Sequence, residues 1–122
     1  EAMIALEAKE GKYDVDKHAV RIEKIIENIV YQQLLRMGYT VHIGQLRAGE
    51  VDFVCTKSNE RVYVQVAYLI ASAETEEREF GCLDNIKDHY PKYVISMTPF
   101  VKRSDRDGIT HIGLREFLNN GF

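Results

Sequence analysis

The chain has 122 residues, 45% of them hydrophobic, which suits one globular domain with a single core. No apolar run approaches the ~20 residues of a membrane span, and a formal net charge of −3 argues against a dedicated nucleic-acid binder. The two cysteines lack zinc-site spacing, so we interpret them as reduced thiols, as expected in a cytoplasmic protein. We also expect the protein to have no membrane partner.

The N-terminal residues are interpreted as a tail that precedes the domain. The chain starts without methionine, which suggests a cloning scar or the end of an earlier segment. The predicted organisation is a tail over residues 1–16 and one α/β domain over residues 17–122.

A first helix is predicted from about Lys17 to Met37, because apolar residues recur there at helical spacing. Together they predict a broad buried arc. The arc consists of Ile22, Ile25, Ile26, Ile29, Val30, Leu34 and Met37. Glu27 lies at its border, where it either points along the core surface or serves as an exposed helix residue.

Three strands follow the first helix. Alternating apolar residues predict strands over 39–45, 50–57 and 61–67, the last two joined as a hairpin. Asp52 and Gln65 lie mid-strand among apolar neighbours, where an unpaired polar group costs about 1–3 kcal/mol. We therefore expect both side chains either to be paired or to border a site.

The second half of the chain alternates helices and strands. A second helix capped by Ser72 or Thr75 is predicted to run to about His89. The glutamates of its first turn, up to Glu79, are typical of a solvated turn at the positive end of the helix dipole. A strand over 93–97, a polar loop over 98–108, a short strand over 109–112 and a helix over 114–118 complete the chain. The predicted order is α-β-β-β-α-β-(β)-α, an α/β fold with a mixed central sheet flanked by helices.

Several segments resemble the PD-(D/E)XK nuclease superfamily: a helix bearing Glu27, a Gly-Glu-Val-Asp-Phe strand, and a strand with a polar and a small residue at Gln65 and Ala67. More narrowly, the chain resembles the C-terminal domain of unknown function attached to many bacterial and archaeal AAA+-type ATPases. The matching segments are residues 27–39, 50–54, 63–68, 77–80, 90–97 and 107–109. The resemblance implies a restriction-endonuclease-like core whose partner is the ATPase domain of the same parent chain. Since no GxxxxGK motif is present, ATP is expected only in that ATPase domain.

The resemblance also implies a degenerate catalytic site. In active members a helix Glu, a strand Asp and an acidic residue on the next strand hold Mg²⁺, while a lysine two residues further on assists the attacking water. Glu27 and Asp52 match that pattern, whereas Gln65 stands at the second acidic position and Ala67 at the lysine position. Strand alternation places Glu50 on the face of Asp52, so the candidate Mg²⁺ ligands are Glu27, Glu50, Asp52 and Gln65. Losing one such polar contribution commonly costs on the order of 10²–10³ in rate, so two losses predict little activity.

Three functions remain open at this point. The leading expectation is an inactive nuclease-like domain that acts as a nucleic-acid or protein binding or regulatory module and needs no cofactor of its own. For DNA, the candidate contacts are Lys102, Arg103 and Arg106. The alternatives are a residual Mg²⁺-dependent nuclease and a structural domain, for example of a homodimer, in which Asp52 and Gln65 bond to each other and to the backbone.

Overall fold

The computed structural model describes residues 15–46, 49–99 and 103–122, with side chains from residue 17 onward. Three helices surround a six-stranded sheet whose strand order is β1-β2-β3-β4-β6-β5. The helices are α1 (Val15–Arg36), α2 (Ala73–Asp84) and α3 (Leu114–Asn120). The strands are β1 (Thr40–Leu46), β2 (Gly49–Lys57), β3 (Glu60–Ala67), β4 (Lys92–Ser96), β5 (Ser104–Arg106) and β6 (Ile109–Gly113). Strands β3, β4 and β6 run parallel and the other pairs are antiparallel, which confirms the predicted mixed sheet.

The sheet is covered on both faces. Val30 and Leu34 of α1 pack with Phe117 of α3 on one face, and Phe80 and Leu83 of α2 pack on the other. All five side chains are at most 2% exposed. No helix in the described ranges is long and apolar enough to cross a membrane.

Helix α1 departs from its prediction in two respects. It begins at Val15, so two residues assigned to the tail belong to the helix, and residues 1–14 lie outside the described residues. The predicted apolar arc is too broad, since Ile25 is 54% exposed and Ile29 is 38% exposed. A single helix resting on a sheet buries only one narrow side of its surface, and these two isoleucines lie beyond it.

Helix α2 begins as predicted and ends early. The Ser72 hydroxyl accepts a hydrogen bond from the Thr75 N–H at 3.1 Å, which confirms the predicted cap. The last helical residue is Asp84, five residues before the predicted end at His89. Beyond Asp84 the chain turns, and the main-chain carbonyl groups of Asp88 and Tyr90 accept hydrogen bonds from the Lys92 ammonium. No hydrophobic or capping pattern in the sequence predicts these contacts.

Strand β5 lies in the segment that was predicted to be a polar loop. It pairs antiparallel with β6 through the turn Asp107–Gly108, and both turn residues have positive φ angles of 52° and 84°. An exposed edge strand carries no hydrophobic alternation, so the period-2 pattern is absent here. The Asp-Gly pair, which favours this kind of hairpin turn, was the usable signal.

A β-bulge interrupts β2 beside Asp52. His42 of β1 pairs with Val54 whereas Gly44 pairs with Val51, so two steps along β1 match three along β2. The bulge breaks the strict alternation predicted for this strand: Val51 packs with the α2-side core although Phe53 packs with the α1-side core. Bulges of this kind re-aim a side chain and are frequent beside functional sites.

Gly44 is required opposite the bulge. A Cβ atom added there would lie 2.8 Å from Val54 Cγ2 and 3.0 Å from the Val51 carbonyl oxygen. We therefore expect Gly44→Ala to lower the free energy of unfolding by about 1–3 kcal/mol, measured by urea denaturation. The matched control is Gly81→Ala in α2, where a Cβ meets nothing within 4 Å. There, better helix propensity is expected to raise stability by about 0.5–1 kcal/mol. A Gly44→Ala variant as stable as the wild type would contradict this account of the bulge.

Candidate functional site

The candidate site lies where β2 and β3 separate. Their paired register runs from Lys57 and Glu60 to Phe53 and Val64 and stops there. The next opposed residues would be Asp52 and Gln65, and their side chains rather than their main chains span the gap. The two polar residues that the sequence singles out therefore mark one place in the fold.

Two hydrogen bonds cross this gap. The Asp52 N–H donates to Gln65 Oε1 at 3.0 Å, and the Val66 N–H donates to Asp52 Oδ2 at 2.8 Å. Both N–H groups would otherwise be partly buried without partners in the ladder, at a cost of about 1–3 kcal/mol each. The side chains of Asp52 and Gln65 thus replace main-chain pairing at this point of the sheet.

The other end of the Gln65 amide is held by helix α2. Gln65 Nε2 donates to Glu79 Oε1 at 3.2 Å, and the guanidinium of Arg78 lies 3.4 Å from Glu79 Oε2. Glu79 is only 6% exposed, so it is not the solvated first-turn residue that the sequence predicts. Its pKa is raised because burial disfavours the charged carboxylate, although the Gln65 hydrogen bond acts in the opposite direction.

Helix α1 contributes two further carboxylates. Burial raises the pKa of Glu27, with further contributions from Glu23, Glu79 and Glu50, while Lys24 lowers it. Glu23 also accepts a long hydrogen bond of 3.4 Å from the Tyr68 N–H, just beyond the end of β3. Glu27 is half-buried, which agrees with a placement along the core surface, and its role as a ligand stays a prediction.

Asp52 is the most perturbed carboxyl of the group. Burial, reinforced by the negative charges of Glu27, Glu79 and Glu23, raises its pKa to about 7, while the Val66 N–H acts to lower it. A carboxyl with such a pKa is about half protonated at neutral pH. Glu23, Glu27, Asp52 and Glu79 thus form an acidic cluster in which raised pKa values of Glu27, Asp52 and Glu79 disfavour full ionisation.

The remaining predicted site residues do not complete a catalytic set. Ala67 is fully buried in β3. Lys57 donates to the Met37 carbonyl oxygen and Lys92 pairs with Asp88, so neither of these lysines takes the missing lysine's place. Glu50 lies at the exposed start of β2, where its carboxylate accepts a 3.1 Å bond from Gln45 Nε2 on β1. The substitution of Glu50 for a missing ligand stays a prediction.

The donor set does not fit a divalent cation as it is arranged. Mg²⁺ favours several converging oxygen ligands, whereas one Asp52 oxygen and the Gln65 oxygen already accept N–H groups. Within residues 15–46, 49–99 and 103–122, no three His, Cys, Asp or Glu side chains are grouped so as to hold a metal ion.

Two of the three residues predicted to contact DNA form ion pairs with carboxylates of this chain. Arg103 pairs with Glu116 at 3.2 Å, and Arg106 lies 3.4–3.5 Å from Glu76 and Glu77 with its guanidinium 4.9 Å from the ring centre of Phe80. Lys102 lies outside the described residues. Carboxylates thus balance both described arginines, and DNA contact by this segment stays a prediction.

Comparison with known proteins gives one informative relative. No protein-family model matches the chain. An uncharacterized protein of Haemophilus influenzae is 35% identical to it over 107 residues, which is 88% of this chain and 26% of that protein. The similarity is to one segment of a longer protein. The chain spans about a quarter of the length of that relative.

Sequence reasoning missed two members of the cluster, Glu23 and Glu79. Both lie four residues along a helix from a residue that faces inward, Glu23 from Glu27 and Glu79 from Leu83. Residues at this spacing share a helix face. That spacing was the available signal, and for Glu79 it was obscured by the acidic residues around it.

Proposed function

We propose that this chain is a nuclease-like domain of an AAA+-type ATPase that has lost hydrolytic chemistry and acts as a binding or regulatory module. One observation carries the proposal: the Gln65 amide is held at both ends, by the Asp52 N–H and by Glu79. In active members of the superfamily that this chain resembles, an acidic metal ligand stands at this position. Here the position has a structural role, and the lysine position holds the buried Ala67.

Two further observations support this proposal. Similarity to about a quarter of a longer relative is compatible with a module attached to other domains. The formal net charge is −3, and both described arginines of the candidate DNA-binding segment are ion-paired. Because phosphate contacts supply most non-specific nucleic-acid affinity, these charges favour a protein partner over DNA.

Metal titration tests the loss of chemistry. We expect calorimetry with Mg²⁺ and Mn²⁺ at millimolar concentration to give no saturable heat, and plasmid DNA and RNA to remain uncleaved. Asp52→Ala should behave like the wild type in both assays. Saturable binding that Asp52→Ala abolishes, together with cleavage, would replace this proposal with the residual nuclease.

A gain-of-function variant tests the nuclease-like ancestry. Gln65→Glu restores an acidic group between Asp52 and Glu79, so like-charge repulsion should lower the melting temperature without metal. Mn²⁺ should restore that temperature in the variant and leave the wild type unchanged. The matched control is Gln32→Glu, which adds a carboxylate on the exposed side of α1. A metal response equal in both variants would remove the support for a nuclease-like site.

A further inference from the structure

The two edges of the sheet differ in how they are protected against pairing with another strand. Edge strands expose unpaired N–H and C=O groups, and proteins usually guard them with short length, charged residues or proline. Strand β5 is guarded in this way, because it has three residues of which Asp105 and Arg106 are charged. Strand β1 has seven residues, Thr40–Leu46, with no charged residue and no proline, and the β-bulge, another common guard, falls in the inner strand β2 and not in β1 itself. Among the described residues its only strand partner is β2.

The middle of β1 also carries an unusual side chain. Ile43 is 69% exposed, the largest exposed fraction of any large hydrophobic side chain in the described part of the chain. It lies at the fourth of seven positions, the centre of the strand. An exposed apolar residue at the centre of an open strand edge is characteristic of a surface that pairs with another strand.

We propose that β1 pairs antiparallel with β1 of a second copy of this chain, so that two six-stranded sheets join edge to edge. A two-fold axis at the strand centre places Ile43 opposite Ile43 of the second copy, and Thr40 opposite its Leu46. The pairing would satisfy the open N–H and C=O groups of both edges and cover both isoleucines. This inference does not depend on the proposed function.

The composition of β1 favours a second copy over a different partner. Like charges directly opposite one another destabilise a strand pair, and β1 has no charged side chain to oppose itself. A charged partner strand would find no complementary charge there. Opposed isoleucines, in contrast, gain from burial on both sides.

The expected dimer is weak. Pairing through one strand on each side covers less surface than the roughly 800 Å² per partner of stable interfaces. Association should therefore depend on concentration over the micromolar to submillimolar range.

Sedimentation velocity across that range tests the proposal on the 122-residue chain. We expect the wild type to shift from monomer to dimer as concentration rises. Ile43→Lys should remain monomeric, because a charge at the centre of the edge opposes itself across the two-fold axis. The matched control is Met97→Lys, which replaces a 47% exposed side chain outside β1 and should dimerise like the wild type. Circular dichroism melting shows whether both variants are folded.

A second readout reports on the register. In Ile43→Cys the two introduced thiols would face each other, so mild oxidation should yield a covalent dimer. Met97→Cys and the wild type, which contain the free thiols Cys55 and Cys82, should yield far less. A wild type that is monomeric throughout, a folded Ile43→Lys that still dimerises, or equal cross-linking in all three proteins would overturn the proposal.

Discussion

Asp52→Asn is expected to make this domain more stable at pH 8 and to leave its stability at pH 4 nearly unchanged. Burial and the neighbouring carboxylates raise the Asp52 pKa from 3.8 to about 7. Between these two values the native state holds a proton that the unfolded chain has released, so stability falls as pH rises from about 4 to about 7. An asparagine does not ionise, and its side-chain oxygen can still accept the Val66 N–H.

The expected gain at pH 8 is about 2–4 kcal/mol, because the pKa difference, at about 1.4 kcal/mol per unit, sets an upper limit that solvent screening of this partly exposed carboxyl reduces. Urea denaturation of wild type and variant at several pH values between 4 and 8 measures it. Raised pKa values of Glu27 and Glu79 act in the same direction and remain in the variant, so its profile should be shallower but not flat. His111, whose pKa is lowered by burial, acts oppositely and destabilises the native state below about pH 6.5.

The control for this experiment is Asp105→Asn, which neutralises an exposed carboxylate on β5. It should shift the profile by only a few tenths of a kcal/mol. Parallel profiles for wild type and Asp52→Asn would contradict the buried, half-protonated state of Asp52. If Mg²⁺ raises the stability of the wild type at pH 8 but does not raise that of Asp52→Asn, the metal-binding alternative is favoured instead.

Lys92→Met is expected to lower the free energy of unfolding by about 2–4 kcal/mol. The Lys92 ammonium uses its three N–H groups on the Asp88 carbonyl oxygen, Asp88 Oδ1 and the Tyr90 carbonyl oxygen, all within 3.0 Å. Asp88 also accepts a 2.6 Å hydrogen bond from the Tyr63 hydroxyl. Methionine keeps the length and the apolar stem of the lysine but removes the donor from both carbonyl oxygens, while Asp88 Oδ1 keeps only the Tyr90 N–H.

Urea denaturation measures this loss. Arg103→Met is the matched control, because it breaks the more exposed Arg103–Glu116 pair with the same replacement. Exposed ion pairs contribute about 0–1 kcal/mol, so the two variants should differ clearly. Losses of equal size would show that the Lys92 network contributes no more than a surface pair.

The sequence predicts those elements of the fold that depend on residues close together in the chain. The strands β2 and β3 and the capped start of α2 follow from periodicity and from Ser72, which are local properties. The end of α2 could not be predicted in the same way, because Asp88, in the segment after the helix, is held by the Tyr63 hydroxyl of β3, which is distant in the sequence. Strand β5 was not predicted, because a solvent-exposed edge strand lacks the alternating apolar residues by which a strand is recognised.

The candidate site, too, could be predicted only where local sequence patterns determine it. The polar positions Asp52 and Gln65 could be recognised because they interrupt apolar strands. Their partners could not, since the bulge in β2, the separation of the strands and the burial of Glu79 depend on how sheet and helices pack. Glu50 shows the same limit: strict alternation predicts that it shares a face with Asp52, whereas the bulge shifts the alternation there, so its role as a ligand stays a prediction.

The sequence by itself determined the α/β class, the strand pair and the two residues on which the site depends, because spacing along a chain sets which side chains share a face. Tertiary structure alone decided what those residues do. It made the Gln65 amide a link between a main-chain N–H and Glu79, raised the pKa of Asp52 by burying it beside other carboxylates, and left β1 with a strand partner on one side only among the described residues. Burial, charge proximity and unpaired edges arise between segments that are distant in the chain, so they exist only once the chain has folded.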